Sequence, residues 1–279
     1  MIPLKDNLPT SRFPILTVLL IVINVGVFIW QTQFPENREL SQVGLTSGID
    51  QSAIEYGAIP YRVTHPEDSD CALVGIRDQG GPRAEIFCEG QREFDQADRA
   101  GATLPLDQAP WLLTLLTSMF MHGGLLHLGG NMLFLWIFGN NIEDSMGRVR
   151  FILFYVLAGL VAVYAQSLID TSSTVPTIGA SGAVAGVLGG YALLHPRARV
   201  LTLVIIIFFV TLIEVPAMIM LGIWFVLQFL PAVGQTAISD VGDGGGVAYF
   251  AHVGGFVFGL AAIKLFANRH RAGLTPAAR

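Results

Sequence analysis

Long apolar runs separated by short polar breaks dominate the chain, which is the pattern of helices that cross a membrane. The first run, 13–31, follows Lys5 and Arg12 and ends in Gln31-Thr32-Gln33-Phe34-Pro35. It lacks the small-residue cleavage site of a signal peptide, so an uncleaved first helix is predicted over 13–33. Segment 34–110 holds no apolar run of membrane length and is punctuated by Gly57, Pro60, Pro66, Gly80-Gly81-Pro82 and Gly90. A loop or small domain outside the membrane is expected there. The block 111–138 would extend about 42 Å as one helix, more than a ~30 Å hydrocarbon core. Gly123-Gly124 splits it into an interfacial element, 111–121, and a helix over 124–141. Further helices are predicted over 150–169 and 179–195. Glu214 and Pro216 divide the next block into an interfacial stretch, 200–213, and a crossing helix, 215–233. The last helix is 248–267. The prediction is an all-α polytopic membrane protein of six transmembrane helices with an extracytoplasmic insert. Its parts are a short N-terminus (1–12), the first helix (13–33), the insert (34–110), a membrane core (111–267) and a tail (268–279).

Composition supports this reading: 52% of the 279 residues are hydrophobic and only 13% are charged, against about 25% in soluble domains. Charge then orients it. The insert carries 14 acidic and 6 basic residues, while the rest of the chain carries 7 acidic and 10 basic. With six spans and an inside N-terminus, all ten of those basic residues fall in cytoplasmic segments or at cytoplasmic helix ends. Both termini are therefore expected in the cytoplasm, in the plasma (inner) membrane of a bacterium. No basic patch points to nucleic acid. With the insert outside, Cys71 and Cys88 are expected to pair; two free thiols are the alternative. The bond would close a loop of roughly 17 residues, worth about 3 kcal/mol in the chain-entropy model. Two cysteines without nearby histidine pairs make a poor zinc site.

Polar residues inside spans are costly and often mark function. The second helix carries His127 and Asn131, one turn apart on one face. Ser181 stands near the start of the fourth helix and His252 near the start of the sixth. Those three helices all run from outside to inside, so three segments deliver polar groups to one depth. Gly182, Gly186 and Gly190 repeat every four residues in the fourth helix, as Gly255 and Gly259 do in the sixth. Such faces permit close backbone contact, which would bring the Ser181 hydroxyl towards the His252 imidazole. A serine hydroxyl becomes a nucleophile when a base takes its proton, and histidine has a suitable pKa. No intramembrane aspartate is placed to orient His252, so a dyad is expected rather than a triad. The Ser181 N–H, His127 and the Asn131 amide are candidate oxyanion donors. Taken singly, each of these residues is more readily a packing or hydrogen-bonding group; their joint placement reverses that. Glu143 and Asp144, at the other end of the second helix, are read as structural, and His122 as support for the outer loop.

These residues resemble the rhomboid intramembrane serine proteases. The stretch from Met121 through His127 to Asn131 resembles the family's His-x-x-x-Asn motif. Gly179-Ala180-Ser181-Gly182 resembles its nucleophile motif, and Ala251-His252-Val253-Gly254-Gly255 its base motif. The resemblance implies Ser181 as nucleophile, His252 as general base, and His127 with Asn131 as oxyanion stabilisers. It also implies cleavage of single-span membrane proteins near the outer face, with no metal or nucleotide cofactor. Two features depart from the pattern. Ala185 stands where many members carry a tyrosine against the histidine, and a Trp-Arg pair expected near Leu113-Thr114 is missing. Two other classes of protein remain: a catalytically silent relative that binds membrane clients, and a small-solute transporter. The intact serine and histidine disfavour the first. The absence of a convincing inverted repeat disfavours the second.

Overall fold

A computed structural model describes residues 2–35, 37–42, 45–67, 70–78, 81–206, 208–237 and 247–268. The tail predicted over 268–279 lies outside the described residues beyond Asn268. The molecule is mainly helical, with two small antiparallel sheets.

Helix α1 (Ile15–Thr32) shows how the bundle is assembled. Thr17, Asn24 and Gln31 recur every seven residues and are fully buried, while Leu19, Val22, Ile23 and Ile29 point outward. This is the reverse of a soluble amphipathic helix, as expected where the surroundings are hydrocarbon. The polar stripe fastens the helix to its neighbours. Gln31 Oε1 accepts from the His122 N–H at 2.9 Å, and Gln31 Nε2 donates to Ser52 Oγ at 3.3 Å. At the other end, the Glu143 carboxylate accepts from the backbone N–H groups of Leu16 and Thr17 and from the Thr17 hydroxyl. It satisfies N–H groups that a helix start leaves without partners, and no local side chain caps this start. Asp144 likewise holds the Ser11 N–H and hydroxyl.

The insert begins with α2 (Arg38–Gln42), α3 (Gly48–Tyr56) and α4 (Pro60–Thr64). A hairpin follows, β2 (Cys71–Asp78) and β3 (Gly81–Cys88), then α5 (Arg92–Arg99) and a short strand β4 (Thr103–Pro105). The strand order is β3-β2-β4. Cys71 lies opposite Cys88 in the ladder, and the two are joined as a disulfide. Buried among Ile59, Tyr61, Ile86 and Leu106, it anchors a core of the insert's own. The insert docks on the segment leading to Ser181. Ala58 and Thr177 exchange backbone hydrogen bonds, Tyr61 N–H donates to the Ser173 carbonyl, and the Thr174 hydroxyl donates to the Ile86 carbonyl.

The core follows. Helix α6 (Trp111–Thr117) runs into one 3-10 turn, Ser118–Phe120. A continuous helix comes next, made of α7 (Leu125–Phe134), a π turn (Leu135–Gly139) and α8 (Asn140–Met146), bent by 79° from the preceding piece. Helix α9 (Arg148–Ile169) returns, and α10 (Ser181–Leu194) occupies the centre, with every residue from 182 to 192 buried. Strands β5 (Arg199–Ile206) and β6 (Phe209–Pro216) form a hairpin that pairs with the N-terminal strand β1 (Ile2–Asp6), in the order β1-β5-β6. The stretch expected at the interface, 200–213, is this hairpin. Asp6 ties the sheet to the bundle, accepting from Asn141 Nδ2 and the Tyr191 hydroxyl, each at 2.6 Å. Burial pushes its carboxyl above the usual carboxylate range, although the Tyr191 bond opposes that shift. Helices α11 (Ala217–Ala237) and α12 (Tyr249–Phe266) complete the chain.

Among the described residues, α1, α9, α11 over 217–234 and α12 are long and apolar enough to cross a membrane, and the bent pair would make a fifth span. Helix α10 has 14 residues, or about 21 Å at 1.5 Å per residue, short of a ~30 Å core. It is a short, buried central pillar of the bundle.

Candidate active site

Ser181 is the first residue of α10, where backbone N–H groups lack intrahelical partners and the helix dipole favours negative charge. The approach to it requires glycine. Gly179 has φ +125°, in the region that favours glycine. A Cβ there would lie 2.8 Å from His127 Cε1, 2.9 Å from its Nε2 and 3.5 Å from Ser181 Oγ. The bare Gly179 backbone thus lets the His127 ring and the Ser181 hydroxyl share one space.

His252 lies in the first turn of α12 and reaches Ser181 because α10 and α12 touch backbone to backbone. A Cβ on Gly255 would strike the Gly182 carbonyl, and one on Gly259 the Gly186 carbonyl. On its other side, α10 meets α9, where a Cβ on Gly182 would strike Ala162 and one on Gly186 would strike Ala158. The outcome is a distance of 2.8 Å between His252 Nε2 and Ser181 Oγ. The other ring nitrogen, Nδ1, lies 2.8 Å from Gln228 Oε1 on α11. The Trp224 ring, one turn earlier on α11, stands 5.9 Å from the imidazole at a tilt of 38°.

His127 occupies the first turn of α7. His122 packs edge-on against it at 5.1 Å and is itself buried, held through its backbone by Gln31. Gly123 N–H points at His127 Nδ1 from 3.5 Å, the outer limit of a hydrogen bond. That arrangement suits a ring whose Nε2 carries the proton, on the side facing Gly179. Asn131 is buried one turn deeper, and its Nδ2 has no hydrogen-bond partner among the described residues. A buried amide donor left unpaired costs about 1–3 kcal/mol, which leaves Nδ2 free to donate to an acceptor. A small cavity of about 20 Å³ beside Ser181 is bounded by Ser118, Thr177, Gly179 and Ala251. It has room for about one water.

Ser181, His252 and His127 thus meet, and Asn131 lies just below them. Cys71 and Cys88 belong to the separate core of the insert. Two neighbours escaped the sequence reading, Gln228 and Trp224. Their signal was present, since Gln228 is a lone polar amide in the apolar run 217–230 and Trp224 precedes it by one helical turn. No local pattern said that this face meets His252.

Fold and site together define a polytopic helical membrane protein with a serine–histidine pair at the head of its central helix. The Rhomboid domain model matches residues 110–269. The chain belongs to the rhomboid family and is an integral membrane protein. It is 33% identical over 207 residues to the mitochondrial Rhomboid protein 1 of Saccharomyces cerevisiae, covering 72% of this chain and 54% of that protein. The Rhomboid protease GluP of Bacillus subtilis is 41% identical over 75 residues, 27% of this chain and 14% of that protein. The human mitochondrial Presenilin-associated rhomboid-like protein is 32% identical over 87 residues, 30% of this chain and 23% of that protein. The matched region thus spans about half the length of the yeast relative and under a quarter of the other two.

Proposed function

We propose that this protein is an intramembrane serine endopeptidase that cleaves single-span membrane proteins near the outer face. The observation that carries this reading is the 2.8 Å contact between Ser181 Oγ and His252 Nε2. In this mechanism His252 takes the hydroxyl proton as Ser181 Oγ bonds to the scissile carbonyl carbon. The negative charge moves to the carbonyl oxygen, where the Ser181 N–H, His127 Nε2–H and Asn131 Nδ2 donate to it. Collapse of the tetrahedral species expels the amine, which leaves with the proton from His252. A water, activated by the same imidazole, then hydrolyses the acyl-enzyme. Charge asymmetry along the chain supports the orientation that this chemistry needs, with both termini cytoplasmic, the insert outside and the bacterial plasma membrane as the setting.

The test uses purified full-length protein in detergent with a fluorescent single-span substrate. Ser181→Ala should abolish turnover and labelling by a fluorophosphonate probe, with thermal unfolding near wild type. Cleavage that persists in Ser181→Ala would remove the proposed nucleophile.

A further inference from the structure

Resting on the protease reading, we propose that Gln228 is a positioning residue for His252, holding the imidazole in the tautomer that leaves Nε2 free to take the Ser181 proton. A neutral imidazole carries one proton, and the partner of one nitrogen decides which nitrogen holds it. The partner of Nδ1 is an amide oxygen at 2.8 Å, which only accepts. Nδ1 therefore carries the proton, and Nε2 accepts from Ser181 at 2.8 Å. The Ser181 hydroxyl can donate or accept, so the amide oxygen at Nδ1 is what selects the tautomer in which the hydroxyl donates to Nε2.

The role extends beyond the resting state. When His252 takes the serine proton it becomes a cation, and among the described residues its ring nitrogens bond to Gln228 and Ser181, neither of them acidic. The Gln228 carbonyl dipole, aimed at Nδ1–H, is then the nearest compensation. Gln228 does through a neutral dipole what a carboxylate does in a serine–histidine–aspartate triad. Helix α11 supplies the ring's lateral support as well. Trp224 flanks the imidazole, and Phe225 packs on Phe256, one turn below His252, at 4.8 Å. One turn below Ser181, α10 carries only the methyl group of Ala185. Gln228 and Trp224 thus contribute to the orientation of His252 from α11.

The experiment compares wild type, Ser181→Ala, Gln228→Met and Gln228→Glu as full-length proteins in the same substrate assay. Gln228→Met keeps the length and loses the acceptor. Its kcat should fall about tenfold, the size of one hydrogen bond, with KM unchanged. Gln228→Glu restores an acceptor and adds charge that favours the imidazolium. Its kcat should recover, and the acid limb of the kcat–pH profile should move to higher pH. A Gln228→Met variant with wild-type kcat, or with only a raised KM, overturns the positioning role. So does a Gln228→Glu acid limb that stays where wild type has it; this readout decides the matter alone if Gln228→Met fails to fold. Turnover by Ser181→Ala would instead sink the protease reading, and this role with it. Loss of turnover in Ser181→Ala beside wild-type kcat in Gln228→Met would sink the positioning role alone.

Discussion

In the proposed mechanism Asn131 is one of the oxyanion donors. Its amide is buried, yet Nδ2 donates to nothing among the described residues. An unpaired donor persists where surrounding packing fixes it and where an acceptor appears during the reaction. Asn131→Ala is therefore expected to slow turnover mainly through kcat. Loss of one oxyanion donor costs about 10²–10³, and less where His127 and the Ser181 N–H compensate. Steady-state kinetics on the purified variant checks this; a rise in KM alone would reassign Asn131 to substrate contact. The residues that bear the proposed chemistry were legible as polar intrusions in apolar runs. Gln228 was equally visible as an intrusion. Its role was not, because the partner of a histidine nitrogen lies in three dimensions, 24 residues away in sequence.

At the scale of elements, the glycines of α12 are what place His252. Gly255 and Gly259 face the carbonyl oxygens of Gly182 and Gly186, which are backbone atoms that cannot turn aside. Gly259→Ala should push α12 away from α10 and destabilise the protein by about 1–3 kcal/mol, as overpacked cores do. Gly222→Ala on α11, where a Cβ meets nothing within 4 Å, should stay within about 0.5 kcal/mol of wild type. Thermal unfolding in detergent measures both, and equal effects would refute the packing account. The four-residue glycine spacing predicted this close approach. Helix bounds were also readable: 150–169 was predicted against Arg148–Ile169, and 248–267 against Tyr249–Phe266. The hairpin of β5 and β6 was not read from sequence. Its run of Val, Ile, Leu and Phe suits a strand and an apolar helix alike. Pairing with β1, nearly 200 residues away in sequence, makes it a sheet.

For the whole molecule, the insert and the membrane core meet at the segment that feeds Ser181. Ala58, Tyr61 and Ile86 bond to Thr177, Ser173 and Thr174, so the insert braces the approach to the proposed nucleophile. The proposed orientation puts this domain in the oxidising compartment. Cys71 and Cys88 should then resist alkylation in native membranes until a reductant is added, as mass spectrometry of the labelled protein would show. Free thiols throughout would count against the disulfide, and thiols reachable only from the cytoplasmic side would overturn the orientation. Apolar runs, the charge asymmetry about the insert and the spaced Ser181, His252, His127 and Asn131 could be read from sequence alone. Hydropathy, charge and helical spacing are local properties that need no knowledge of neighbours. The tertiary structure decided that α10 is a short buried pillar, that 171–177 is held by the insert, and that Gln228 meets His252. Each of these depends on which distant backbone or side chain fills a hydrogen-bonding group's vacant place. In hydrocarbon no water can take that place.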